Sequence, residues 1–189
     1  MALEVVPAEV VLEDVARLGP YFEIVAGAGE VAGAAWRPFP EVDAGRLAEL
    51  TADYGERLGT DERRVAASIL FQGLASRLWS PVVAAAARGI VPDLAGLRWR
   101  WAPGEPMALG LAEPRGWRVE SSSEAAGLIH SMVVDGQLRP LREAMLTFVG
   151  LADGLVWGNA ASALAGSLNV GPADSARVAI VREVLAREP

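Results

Sequence analysis

From Thr60 to Gly89 the chain is an almost unbroken run of helix-forming and apolar residues. Val65, Ile69, Gln72, Ser76, Trp79, Val83 and Ala86 recur at three or four residues, and Ala66, Gly73, Leu74, Leu78 and Val82 widen that face. A helix that is apolar on most sides has to be enclosed by other elements. The segment therefore predicts a central helix with the rest of the chain built around it. Pro81 lies inside the pattern. It has no N–H to donate, and its ring crowds the carbonyl four residues back, so it predicts a kink or a division and a freed carbonyl at Arg77. Gly89 ends the run, and Val91-Pro92-Asp93-Leu94 reads as a turn.

The flanks fill in the architecture. A short helical pattern from Ala8 to Leu18 stops at Gly19-Pro20. Asp43 is an N-cap candidate for a helix to Leu58, with Leu47, Leu50, Tyr54 and Leu58 on one face and Gly59 as its C-cap. The period then changes. Leu97-Arg98-Trp99-Arg100-Trp101 alternates apolar and basic residues, as a strand with one dry face does, and Met107–Leu111 and Gly116–Glu120 are further strand candidates. Four arginines, Arg98, Arg100, Arg115 and Arg118, fall in this stretch. Ser121-Ser122-Ser123-Glu124 then offers N-caps for a helix through Leu128, Ile129, Met132 and Val133. Another helix is expected from Leu138, with Pro140 in its first turn, to Val149. Small residues fill Ala152–Leu168, and a last amphipathic helix ends at Arg187. The expected fold is mainly α with a small antiparallel sheet (α+β). It has a helical bundle-like core, a short β insertion around residues 97–120, and one domain over 1–189, with an acidic subregion 1–60 and a helical core 61–170.

Composition excludes more chemistry than it suggests. The chain has no Cys, and every one of its 17 basic residues is Arg. Thiolate nucleophiles, Cys-held zinc or iron–sulfur centres, Schiff-base lysines and a Walker-A lysine are all absent from this sequence. His130 is the single histidine, so any general base of near-neutral pKa has to be that residue. The net charge is −7, which argues against nucleic acid as a partner. The charge is uneven: residues 1–62 hold 13 acids and 4 arginines, and the remainder holds 11 acids and 13 arginines. No stretch reaches the roughly 18 consecutive apolar residues of a membrane span. The N-terminus lacks a basic n-region. The expectation is a cytoplasmic protein without membrane insertion.

Two stretches carry a resemblance. One runs from Ala66 to Pro81 and continues at Gly89-Ile90-Val91-Pro92-Asp93-Leu94. The other is Leu155-Val156-Trp157-Gly158-Asn159-Ala160-Ala161-Ser162-Ala163-Leu164-Ala165-Gly166. Both resemble the ferric-siderophore reductase (FhuF-type) family in its actinobacterial form, over about residues 60–170. The resemblance implies siderophore-related binding. It also implies a [2Fe–2S] cluster held near the family's C-terminus by an adjacent Cys pair and a Cys-x-x-Cys. No residue here can take those ligand roles, so no cofactor is expected in this chain. Either the Cys-bearing tail lies beyond Pro189 or the chain is a natural cluster-less relative, and the complete lack of Cys favours the relative.

The candidate site residues follow from the two motifs. Trp79 and Trp157, one on each, are candidate walls of a small-molecule pocket, with Trp99 and Trp101 behind them. Gln72, Arg77 and Asn159 are polar residues in apolar helices and each needs a partner, either a ligand or the protein itself. Arg77 is suited to an anionic oxygen of a carboxylate or hydroxamate. His130 is the candidate acid–base residue, with Asp135, Glu124 or Glu120 as possible orienting acids. No metal ligand set is expected. The expected partner is a small molecule. The alternatives are a cofactor-free tailoring enzyme of natural-product biosynthesis and a non-catalytic accessory protein.

Overall fold

The computed structural model describes residues 3–40 and 44–187, a mainly helical body with two small sheets. β1 (Val5–Pro7), α1 (Glu9–Ala16), β2 (Val25–Ala26) and β3 (Arg37–Pro38) precede α2 (Ala44–Leu58) and α3 (Arg63–Ala86). Four strands follow: β4 (Ile90–Pro92), β5 (Arg98–Arg100), β6 (Ala108–Leu111) and β7 (Arg115–Arg118). α4 (Ser122–Ile129), a π-wound segment (His130–Leu138) and α5 (Arg139–Leu146) come next. The chain ends in α6 (Asp153–Gly166), a 3-10 turn (Ser167–Asn169) and α7 (Ser175–Leu185). The predicted N-cap Asp43 lies outside the described residues.

α3 is the central helix the sequence predicts. From Leu78 to Ala86 every residue is buried, and the helix runs through Pro81 without dividing. By length and composition it could cross a membrane, but 72% of its most apolar window is covered by the rest of the chain. One detail of the reading is corrected. Val65 and Ile69, assigned to the inner face, are 44% and 39% exposed, whereas Ala66, Ala67, Leu70, Phe71 and Leu74 are buried. The periodic stripe and its widening residues exchange places because the small side chains give the closest approach to neighbouring helices.

The helix ends follow local chemistry. Gly59 sits at φ +65, and the bonds Thr60 N–H to Gly55 O and Gly59 N–H to Glu56 O close α2 as a Schellman motif. Ser121 caps α4 by accepting from the Glu124 N–H, and Glu124 in turn accepts from the Glu120 N–H at 2.9 Å. Asp174 caps α7 by accepting from the Ala176 and Arg177 N–H groups.

The predicted strands are present, but they do not make a single antiparallel insertion. β5 and β6 join β2 and β3 in one sheet of order β2-β6-β5-β3, with β2 parallel to β6. β7 belongs to a second sheet, between β1 and β4. β4 also occupies the Ile90–Pro92 stretch expected to be a turn. The acidic N-terminal third is thus built into both sheets. Its strands have only two or three residues, too short to show a period of two.

Candidate functional site

α3 and α6, the helices that carry the two motifs, lie against each other. Asn159 of α6 donates to the Ser68 carbonyl at 3.1 Å and to Ser68 Oγ at 2.8 Å, fastening α6 to α3. Small residues on both sides, Ala67 and Ala75 facing Ala160 and Ala163, permit the approach. Beside this seam lies a cavity of about 120 Å³ lined by Trp79, Trp157, His130, Val134, Leu138 and Leu164, with Val184 and Arg187 at the α7 end. The two motif tryptophans and the single histidine therefore share one space.

His130 reaches that space through an irregularity the sequence does not announce. The sequence predicts two helices with a gap before Leu138. The structure joins them from Ser122 to Leu146 through a π-wound segment, in which the Arg139 N–H donates to the Val134 carbonyl five residues back. Pro140, which cannot donate, sits in the first turn where α winding resumes. Residues five apart on an α-helix are about 140° apart around its axis. π winding brings them to one side, and His130 Nδ1 stands 3.7 Å from Asp135 Oδ2. Of the three acids proposed to orient His130, the structure selects Asp135. Glu124 instead closes the start of α4. Asp135 also meets Arg139 Nε at 3.0 Å, and the Arg139 guanidinium lies 5.5 Å from the centre of the Trp157 ring. A connected set of His130, Asp135, Arg139 and Trp157 thus forms one side of the cavity.

The Trp79 side differs. Trp79 is 2% exposed, and its Nε1 has no hydrogen-bond partner. Trp99 and Trp101 also keep unpaired indole N–H groups, buried in the core. A buried donor without an acceptor costs about 1–3 kcal/mol. At Trp79 that donor belongs to the wall of a space that an acceptor could enter.

The remaining candidates go elsewhere. Gln72 lines a separate cavity of about 180 Å³ with Tyr21, Phe22, Ser76, Ser80 and Ser162, on another face of α6. Arg77 lies over the Tyr21 ring at 4.9 Å and donates to the Pro20 carbonyl at 3.1 Å, holding the turn after α1 against α3. Its guanidinium thus serves the N-terminal turn. Asn159 acts as the α3–α6 clasp. The arginines of the β stretch do not form a cationic patch either: Arg115 pairs with Glu113, Arg118 with Glu4, and Arg100 covers Trp36. Sequence reasoning misses Arg139 and Arg187 at the cavity. A basic residue near a helix end is too common to point to a site.

No family model, curated protein or solved structure matches this chain. The cavity's own chemistry therefore carries the functional argument. Its walls are mostly hydrocarbon and indole, with one unpaired N–H donor, one imidazole and one guanidinium. That set can hold a flat apolar group and hydrogen-bond an acceptor on it. Among the described residues no group of three or more His, Cys, Asp or Glu converges as a metal site would require.

Proposed function

We propose that the chain is a small-molecule-binding protein whose ligand enters the Trp79–Trp157 cavity. The observation that carries this reading is the unpaired Nε1 of Trp79 in the wall of an otherwise apolar space. Small-molecule sites combine apolar walls with a few polar groups that fix orientation. A volume of about 120 Å³ is near the about 150 Å³ of an apolar cavity that takes up benzene, so one ring-sized group fits. In the ferric-siderophore-reductase-like version of this reading, a chain without cluster ligands binds one planar arm of a siderophore, with the rest of the molecule outside. The two stretches behind that resemblance are α3 and α6, which together supply both tryptophans.

Trp79→Phe keeps the ring and removes the donor. Titration of the intrinsic tryptophan fluorescence with ferric catecholates, ferric hydroxamates and phenol should show saturable quenching by at least one of them. The variant should weaken that binding about tenfold, the value of one hydrogen bond inside a dry site. Absence of a saturable signal with every ligand class would defeat the reading.

One observation favours a second reading, the cofactor-free enzyme: the carboxylate of Asp135 behind the imidazole that lines the cavity. Such a pair fixes the tautomer of a histidine and stabilises its protonated form. On any substrate the protein turns over, His130→Ala should lower kcat roughly tenfold or more. Unchanged kinetics would remove His130 from the chemistry.

A further inference from the structure

We propose that the ligand is a one-ring aromatic carboxylate bearing a ring oxygen, seated with the ring between the two indoles, the oxygen toward Trp79 and the carboxylate at the mouth beside Arg187. This rests on the Trp79–Trp157 cavity being the binding site.

Depth orders the polar groups. Trp79 is buried and marks the inner end, and Arg187 is exposed and marks the outer one. Each presents N–H donors, so a ligand that satisfies both needs an acceptor at each end of an apolar middle. No acidic side chain lines the space. The nearest acid in the connected set, Asp135, is already paired with Arg139 at 3.0 Å, so it offsets little of the positive charge at the mouth. In a chain of net charge −7, a cationic mouth stands out and draws anions toward it.

Arg187 has capacity for such an anion. Among the described residues, its hydrogen bond runs from Nη2 to the Ser123 carbonyl at a long 3.4 Å. A planar guanidinium so weakly engaged can take a carboxylate through two parallel bonds. A terminal arginine also complements the dipole of α7, and that role alone would leave binding indifferent to ligand charge. Ligand charge is therefore the variable that separates the two roles. Size sets the rest: the volume admits one ring and leaves no room for a fused second one.

The test is calorimetric binding of 4-hydroxybenzoate, 4-hydroxybenzamide and toluene to the full chain at low ionic strength. The acid should bind about tenfold more tightly than the amide, and added salt should erode that preference. Arg187→Gln should bring the acid down to the amide's affinity and leave the amide unchanged, with thermal unfolding of the variant as the check on its fold. Equal affinities for acid and amide, or a preference that survives Arg187→Gln, would overturn the carboxylate assignment while binding of the amide or toluene leaves the cavity reading intact. Failure of all three to bind would overturn the cavity reading itself.

Discussion

Gly116→Ala should lower the stability of the chain by about 3 kcal/mol, within the range for forcing atoms into a packed site. Gly116 is the second residue of β7, the middle strand of its sheet, opposite Val6 on one side and Pro92 on the other. A Cβ built there lies 2.5 Å from the Val91 carbonyl oxygen, 3.0 Å from Ile90 Cγ2 and 3.1 Å from Pro92 Cα. Two of these three neighbours are backbone. They cannot swing aside as a flexible side chain would, and moving β4 means giving up its pairing with β7. For a chain of this length, the loss corresponds to a Tm about 6–12 °C lower. Thermal and urea unfolding followed by far-UV circular dichroism would measure it. A shift below about 0.5 kcal/mol would mean that β4 yields freely, contrary to its fixed register.

Arg177→Met should cost a similar amount, for an electrostatic reason. Arg177 on α7 is 3% exposed yet has no carboxylate within ion-pair distance among the described residues. Its guanidinium bonds the Ser167 and Val170 carbonyls and lies 5.5 Å from the centre of the Phe22 ring. Those carbonyls follow the end of α6, where helix backbone acceptors have no partner within the helix. Burial pushes the guanidinium pKa down, Asp174 pushes it up, and Arg88 adds to the lowering. Met keeps the apolar stem and relieves the buried charge, which is a gain. It also strands two carbonyls, and buried acceptors without donors cost about 1–3 kcal/mol each. The second effect is the larger, so a net loss of about 3 kcal/mol is expected in urea titrations. A variant as stable as the parent would show that the cost of burying the charge had already cancelled its hydrogen bonds, as happens in some buried ionic sites.

The two residues were unequally visible beforehand. Gly116 stands in a stretch legible as a strand, but its need to be glycine comes from β4 pressing against it, and β4 occupies residues that read as a turn. Arg177 reads as one more polar position on an amphipathic helix. Only the arrival of the α6 end and of Phe22 makes it a buried cap. The candidate site divides in the same way. Trp79 and Trp157 are conspicuous in their helices and do share a cavity. Gln72, Arg77 and Asn159 are equally conspicuous as polar residues in apolar helices, but their partners prove to be a second cavity, an N-terminal turn and the neighbouring helix. A polar residue on an apolar helix announces that it needs a partner without saying which one.

What the sequence determined by itself is local. The period of apolar residues sets where most helices run, Gly59, Ser121 and Asp174 set their ends, and the alternation around Trp99 sets a strand. The lack of cysteine removes a whole class of cofactor chemistry from these residues. The tertiary structure alone decided what lies between the elements: two sheets sharing the N-terminal strands, and a π-wound segment that turns His130 and Asp135 to one side. It also closed the space bounded by two tryptophans and an arginine from the far end of the chain. Helix periods and caps arise between neighbours a few residues apart and are written in the order of the chain. Cavities and unpaired donors arise where distant segments meet, and they exist only once packing has fixed which surfaces touch.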